Sequence, residues 1–116
     1  MVARLRGETM PRYMFKGSYG QEGIGGVLKD GGSARVDAAR AIAESAGGSL
    51  ASFDFAFGSD DFYAVAELPD HAAAVAVAAT IGASGAMSHL ETVVLISAEE
   101  ADAAAKRSVS YRPAGR

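Results

Sequence analysis

The feature that most constrains the fold of this chain is an aromatic stretch in residues 50–70, which is predicted to form two strands joined by a turn. Phe53, Phe55 and Phe57 fall on one face and Asp54 on the other, because successive side chains of a strand point to opposite sides. The letters GSDD that follow suit a turn, since glycine tolerates positive φ and carboxylates accept hydrogen bonds from nearby backbone amides. An extended pattern then resumes in FYAVAE. The stretch therefore predicts an antiparallel hairpin whose aromatic face must be covered by other parts of the chain.

The composition indicates one globular domain. The chain has 116 residues, of which 49% are hydrophobic and 22% charged, and this length supports a single core. The net charge is −3 and the lysines and arginines are scattered, so there is no basic stripe of the kind that binds nucleic acid. The absence of cysteine removes disulfides, thiolate metal sites and a cysteine nucleophile, and it fits a reducing compartment. We therefore predict a cytoplasmic protein without a nucleic-acid partner.

The ends of the chain are interpreted as extensions of the domain. Residues 1–9, MVARLRGET, lack the apolar segment of a signal peptide and are read as an N-terminal extension, with a short basic arm as the alternative. Residues 10–107 form the predicted domain, and residues 108–116 a loose tail. The longest apolar run, residues 72–79, is too short to cross a bilayer, so no membrane association is expected.

Two helices are predicted between a first strand, residues 11–17, and the hairpin. Ser18 and Gln21 have the spacing of a capping box, which starts a helix that runs to about residue 29. The glycines inside it predict a short, weak helix. Ser33 is expected to cap the second helix, which extends to about residue 46 and presents alanines to the aromatic face of the hairpin.

The second half of the chain predicts a helix, a strand and a final helix. Asp70 is placed as the cap of a helix through about residue 81, and a long strand covers roughly residues 87–97. Ser97 and Glu100 form another capping box at the start of the last helix. The predicted fold class is therefore α+β: a ferredoxin-like βαββαβ domain with a four-stranded antiparallel sheet and an appended C-terminal helix.

One face of this sheet has no predicted cover. The helices that connect the strands pack on the aromatic face, so the other face stays uncovered. An uncovered face of this size exposes more apolar area than monomers usually tolerate. We therefore expect a second copy of the chain to pack there, as a homodimer or a higher oligomer. The residues predicted on this open face are Arg12, Met14, Lys16, Leu50, Ser52, Asp54, Tyr63, Val65, His89, Glu91, Val93 and Leu95.

A set of short motifs from residue 10 to about 105 resembles a known family. They are Gly23-Ile24, Lys29-Asp30, Arg35, Ala38-Ala39, Gly47-Gly48, the turn from Gly58 to Asp61, the run Glu67-Leu68-Pro69-Asp70, and Glu91-Thr92. This pattern is similar to the GYD domain family of small, mostly bacterial proteins. The resemblance implies a dimeric α+β barrel, in which two ferredoxin-like subunits pack sheet against sheet. The wider group includes cofactor-independent monooxygenases, small isomerases and ligand-sensing domains.

The chain departs from the motif that gives this family its name. The motif has glycine, tyrosine and aspartate around the hairpin turn, with one residue between the glycine and the tyrosine. Gly58 and Asp61 stand at the matching places, but Asp60 replaces the tyrosine. Any role of that tyrosine in the family is therefore absent here at this position, and Tyr63 is a speculative substitute.

His89 is the main candidate for chemistry. The chain has two histidines, and His71 is expected at the exposed start of a helix. With so few ligands we predict no metal and no cofactor. His89 faces the space between the two sheets, where an imidazole with Asp54 and Tyr63 would act as acid or base. The alternative is that His89 is a hydrogen-bonded residue of the interface.

Three further residues of the open face are candidates for ligand binding. Arg12 and Lys16 would bind an anionic ligand, with Glu91 beside them. The alternative, which we favour, is that these charges form ion pairs with acidic residues across the dimer.

Three functions remain open at this point. The first is a dimeric module that binds a small, partly apolar molecule between the sheet and the helices. The second is a cofactor-independent enzyme of the monooxygenase or isomerase kind that uses His89. The third is a purely structural oligomer. The sequence does not decide whether the protein is an enzyme, because an acid or base is recognised first by its geometry.

Overall fold

The computed structural model describes residues 10–116, and the predicted N-terminal extension lies outside this range. The elements are β1 (Arg12–Tyr19), α1 (Gln21–Asp30), α2 (Gly32–Ser45), β2 (Ser49–Phe55), β3 (Phe62–Glu67), α3 (His71–Ala83), β4 (Met87–Leu95) and α4 (Ala98–Ala105). The four strands form one antiparallel sheet in the order β2-β3-β1-β4. This is the ferredoxin-like arrangement, and the predicted fold class is confirmed. None of the helices in the described range is long and apolar enough to cross a membrane.

The hydrophobic core lies between one face of the sheet and the helices. Alternate residues of the two central strands point to this face, which explains why buried and partly exposed residues alternate along β1 and β3. The helices contribute small side chains, so that their backbones approach the bulky residues of the sheet closely. The buried core residues are Tyr13, Phe15, Ala43, Phe62, Ala64, Ala66, Leu68, Ala74 and Val77.

The aromatic side chains of the hairpin pack as predicted only in part. Phe53 stacks on Phe62 with ring centroids 5.5 Å apart and an angle of 10° between the planes, and Phe55 meets Phe53 edge-on at 5.1 Å. Phe57, which was predicted on the same face, is fully exposed. The reason is that β2 ends at Phe55, so that Phe57 lies in the connecting loop and no longer follows the alternation of the strand.

A bulge in β2 changes the face of one residue. Leu50 lies opposite Ala66 and Ser52 opposite Val65, so Ala51 is an extra residue in the ladder. Leu50 therefore packs against the core, and its predicted place on the open face is wrong. Strict counting by twos fails here because a bulge inverts the alternation on one side of it.

The caps of the last two helices are as predicted. The side chain of Asp70 accepts a hydrogen bond of 2.8 Å from the backbone N–H of Ala73 at the start of α3. Ser97 and Glu100 form a reciprocal capping box at the start of α4, with bonds of 3.1 and 3.2 Å. Both signals are local in sequence, because a cap bonds to an amide two or three residues away.

The predicted caps of the first two helices are wrong. Ser18 belongs to β1, where its hydroxyl donates to the carbonyl of Ser59, and Gly20 is the N-cap of α1. Gly31, with φ of 88°, separates α1 from α2 and replaces Ser33 as the cap. A glycine at this φ turns the chain between two helices without steric strain. α1 spans ten residues despite its glycines. One of these glycines, Gly23, is required by close packing against residue 86.

We predict opposite effects for alanine at two glycines of α1. A Cβ at Gly23 would lie 2.2 Å from the carbonyl oxygen of Ala86, whereas a Cβ at Gly25 has no neighbour within 4 Å. Gly23→Ala should lower the free energy of unfolding by about 1–3 kcal/mol through overpacking. Gly25→Ala should raise it by up to about 1 kcal/mol through helix propensity. Urea unfolding of both variants measures this, and equal effects would contradict the close contact between α1 and residue 86.

Candidate functional site

A cavity of about 390 Å³ lies between the core face of the sheet and the helices α1, α2 and α3. Its wall is mostly apolar and includes the aromatic rings of Phe15, Phe53 and Phe62. The helix side of the wall is built from alanines of α2, among them Ala38 and Ala39, which are too short to fill the space above the sheet. Cavities of this size and composition are typical of small-molecule sites.

One end of the cavity is wholly apolar. The register places Leu50 opposite Ala66, and Leu68 follows directly after β3. Ala43, from the last turns of α2, faces them from the helix side. An apolar part of a ligand would be separated from water here without meeting an unpaired polar group.

The opposite end carries the polar side chains of the cavity. Tyr19, the last residue of β1, lies opposite Met87 at the start of β4. Arg35 comes from the first turns of α2, and Thr80 and Ser84 from the last turns of α3 and its cap. Because β1 and β3 are antiparallel, the end of β1 and the end of β3 lie at opposite ends of the cavity. The cavity is therefore amphipathic along its length.

Tyr19 is held in place by a backbone hydrogen bond and a ring contact. Its backbone N–H donates a hydrogen bond of 3.0 Å to Oδ2 of Asp61, and its ring lies 5.5 Å from that of Phe62. Its Cδ1 is also 3.1 Å from the position that a Cβ on Gly23 would occupy. Burial raises the pKa of the Tyr19 hydroxyl, although the charge of Arg35 acts in the opposite direction. The phenol is therefore protonated at neutral pH and is able to donate a hydrogen bond.

Arg35 is half-buried, and no carboxylate of residues 10–116 forms an ion pair with it. Arg40, one turn further along the same helix, is a useful contrast, since it is exposed and pairs with Asp37 at 2.9 Å. A guanidinium is always charged and carries five N–H donors. Arg35 thus supplies a positive charge at the polar end of the cavity.

Sequence reasoning missed both residues of this end. Tyr19 lies beyond the predicted first strand, residues 11–17, although continuing the alternation of Tyr13 and Phe15 to residue 19 places it on the core face. Arg35 precedes Ala39 by four residues, so the two lie on one face of α2. The signal was therefore present in the periodicity, but an arginine was not expected on an alanine face.

A second, more open cleft lies between α3 and β4. The hydroxyl of Tyr13 and Nδ1 of His71 share a hydrogen bond of 2.5 Å, and the two rings meet edge-on with centroids 5.6 Å apart. Tyr13 is 1% exposed, while Val75 and Val94 on the walls of the cleft are largely exposed. His71 is exposed at the first residue of α3, as predicted from the sequence, but its contact with the buried Tyr13 was not expected. Their contact depends on how α3 crosses the sheet, which no local pattern reports.

The residues predicted as a site on the open face are spread across the sheet. Asp54 lies opposite Tyr63, Tyr63 opposite Lys16, and Lys16 opposite Glu91, so these four form one row. Arg12 lies at the other end of β1, opposite Glu67 and Leu95.

His89 lies near one end of this row, on the edge strand β4 opposite Ser18. Asp54 lies on the other edge strand, three strand spacings away, or roughly 14 Å across the sheet. Asp54 and Tyr63 are therefore neighbours, but within one chain His89 is separated from both. None of the three lines the cavity or the second cleft. The catalytic role of this trio stays a prediction.

Lys16 lies between two carboxylates on the open face. Its Nζ lies 3.4 Å from Asp60 and 3.6 Å from Glu91. The hydrogen bond that Lys16 donates to Asp60 and the charges of Glu91 and Asp60 raise the pKa of Lys16 above its ordinary value. Asp60 is only 6% exposed, so Lys16 supplies a countercharge to a buried carboxylate. The residue that replaces the family tyrosine thus has a structural partner in this chain.

No group of three or more histidine, cysteine or acidic residues within residues 10–116 is arranged to hold a metal ion.

The fold and the cavity define an α+β protein of ferredoxin-like topology with an amphipathic cavity beneath its helices. The family model of the GYD domain matches residues 13–105, which is most of the chain, and the protein belongs to this family. Comparisons with curated proteins and with solved structures find no match.

We predict that Lys16→Met changes the response of the protein to alkali. A pKa raised in the folded state means that the folded state holds the proton more tightly. The stabilising effect is therefore complete below the unfolded value, about 10.5, and is lost as pH rises through the folded pKa. Urea midpoints measured from about pH 9.5 to pH 12 should fall less steeply for Lys16→Met than for the wild type.

The same variant should be less stable than the wild type at neutral pH, because the carboxylate of Asp60 loses its countercharge. Adding Asp60→Asn to Lys16→Met should recover part of the loss. Lys29→Met, an exposed change at the end of α1, is the control and should follow the wild type at every pH. An alkaline slope of Lys16→Met equal to that of the wild type would contradict the proposed pairing.

Proposed function

We propose that the protein is a homodimeric ligand-binding domain that holds a small, partly apolar molecule between its sheet and its helices. The observation that carries this proposal is the cavity of about 390 Å³, with an apolar wall and a few polar groups gathered at one end. Sites for small molecules combine these two features, since the wall contributes affinity and the polar groups orient the ligand.

The structure of α2 supports an occupied cavity. Protein interiors are normally packed as densely as organic crystals, and an empty space of this size forfeits dispersion contacts. Ala38, Ala39 and Ala43 lie where larger aliphatic side chains would fill the space. A ligand that enters the cavity gains the contacts that these alanines leave unmade.

The binding hypothesis is favoured over catalysis at His89 by position. A general acid or base must lie within hydrogen-bond reach of the group it serves. His89 is exposed on the sheet face opposite to the cavity, and its imidazole has no hydrogen-bond partner among residues 10–116. A binding protein requires only the cavity.

The open face of the sheet supports the dimer in the proposal. No helix of residues 10–116 covers it, and a mainly apolar row across its middle lies between rows that carry charged residues, which suits an interface with an apolar core. The apolar residues that the strand register places on this face are Met14, Val65, Val93 and Leu95. A second copy packed sheet to sheet would remove them from water.

We expect a neutral apolar fluorophore, N-phenyl-1-naphthylamine, to bind the protein with a stoichiometry of one per chain. Ala39→Leu adds the branched end of a leucine side chain to the cavity and should weaken this binding by about tenfold or more, since a filled cavity leaves no room. Ala41→Leu makes the same change on the exposed side of α2 and is the matched control. Fluorescence titration measures both. No binding to the wild type, or equal affinity for the two variants, would disprove the cavity as the site.

We expect the protein to sediment as a dimer at micromolar concentration and Val65→Lys to shift it to the monomer. The central strand β3 presents Val65 on the open face, so a lysine there would place a charge in the middle of the interface. Ala41→Lys, which adds the same charge on the outside of α2, should leave the dimer intact. A wild type that sediments as a monomer would remove the dimer from the proposal but not the cavity.

A further inference from the structure

The charge at the polar end of the cavity has no partner of its own. Arg35 forms no ion pair among residues 10–116, although its guanidinium lines a mostly apolar space. A charge beside apolar surface is costly unless it is paired or hydrated. The phenol of Tyr19 lines the same end and is close enough to Arg35 for the charge to act on it. The two side chains therefore offer one positive charge and a neutral hydrogen-bond donor to whatever occupies the cavity.

We propose that the ligand is an amphipathic monocarboxylate, whose carboxylate is held by Arg35 and Tyr19 while its apolar body lies toward Leu50 and Leu68. This inference rests on the proposed function, because it names the chemical class of the molecule in the same cavity. A guanidinium matches a carboxylate with two parallel hydrogen bonds, and the phenol donates a third.

A monoanion fits better than a phosphate ester. Among residues 10–116, Arg35 is the single cationic residue that lines the cavity, so it balances one negative charge. A phosphate monoester would carry about one further charge into an apolar cavity without a partner. The raised pKa of Tyr19 supports the same assignment, because a protonated phenol donates to a carboxylate while a phenolate would repel it.

The test compares decanoate with 1-decanol as competitors of N-phenyl-1-naphthylamine in the full chain. The two compounds share their apolar body and differ in the group at its end. We expect the wild type to bind decanoate at least about tenfold more tightly than decanol, since hydrogen bonds to charged groups contribute about 1.5–3 kcal/mol. Arg35→Gln should abolish this preference while changing the affinity for decanol by less than about twofold.

Two further variants separate the role of the site from a general effect of charge. Tyr19→Phe should weaken decanoate by about three- to tenfold and leave decanol unchanged, because only the hydroxyl is lost. Arg40→Gln removes an exposed charge from the same helix and should leave both affinities as in the wild type. Circular dichroism checks that each variant is folded. If Arg35→Gln does not fold, Arg35→Lys keeps the charge without the guanidinium geometry and should retain only part of the preference.

The outcomes distinguish the inferred monocarboxylate ligand from the proposed ligand-binding function on which it rests. If decanol and the fluorophore bind but decanoate binds no better, the cavity is a ligand site and the monocarboxylate is wrong. If neither apolar compound binds, the proposed function itself fails. A preference for decanoate that survives in Arg35→Gln would place the carboxylate elsewhere and overturn the inference.

Discussion

The contact between bulky side chains on the sheet and small side chains on the helices determines both the core and the cavity. Tyr13, Phe15 and Phe62 supply the volume from the strands, and alanines let the helices approach them. This division of volume stabilises the fold through burial of aromatic surface. It also leaves space wherever an alanine faces a part of the sheet that is not filled. The cavity is thus a consequence of the packing that holds the domain together.

The two faces of the sheet are under different electrostatic constraints. On the helix side, the charge of Arg35 meets apolar surface and no acidic partner within the described chain. On the open side, Lys16 lies between Asp60 and Glu91, and the charges largely satisfy one another. A positive charge that already has a countercharge gains little from binding an anion, whereas an unpaired positive charge gains more. In the proposed function, this difference favours ligand binding on the helix side and association between copies on the open side.

Most of the fold could be predicted from the sequence because its determinants are local. The alternation of Tyr13 and Phe15, and the caps at Asp70 and Ser97, depend on residues a few positions apart. The positions of two residues were predicted wrongly, for reasons that a periodic pattern does not reveal. Leu50 changes face because of one extra residue in β2, and Phe57 lies just past the end of the strand. The residues predicted on the open face, Leu50 excepted, follow from the register alone.

The candidate site was harder to predict than the fold, because its most informative residues are small or misleading in isolation. Polar residues such as His89 and Asp54 attract notice in a sequence, yet they lie on opposite edges of the sheet. The cavity exists because alanines of α2 leave space above the sheet, and its polar end joins Tyr19 at the end of β1 to Arg35 near the start of α2. Carrying the strand alternation from residue 17 to residue 19 and asking why an arginine stands on an alanine face would have identified both. An unpaired charge at an apolar position is therefore a stronger sign of a ligand than a histidine on an exposed strand, because the first carries an energetic cost that a ligand removes and the second carries none.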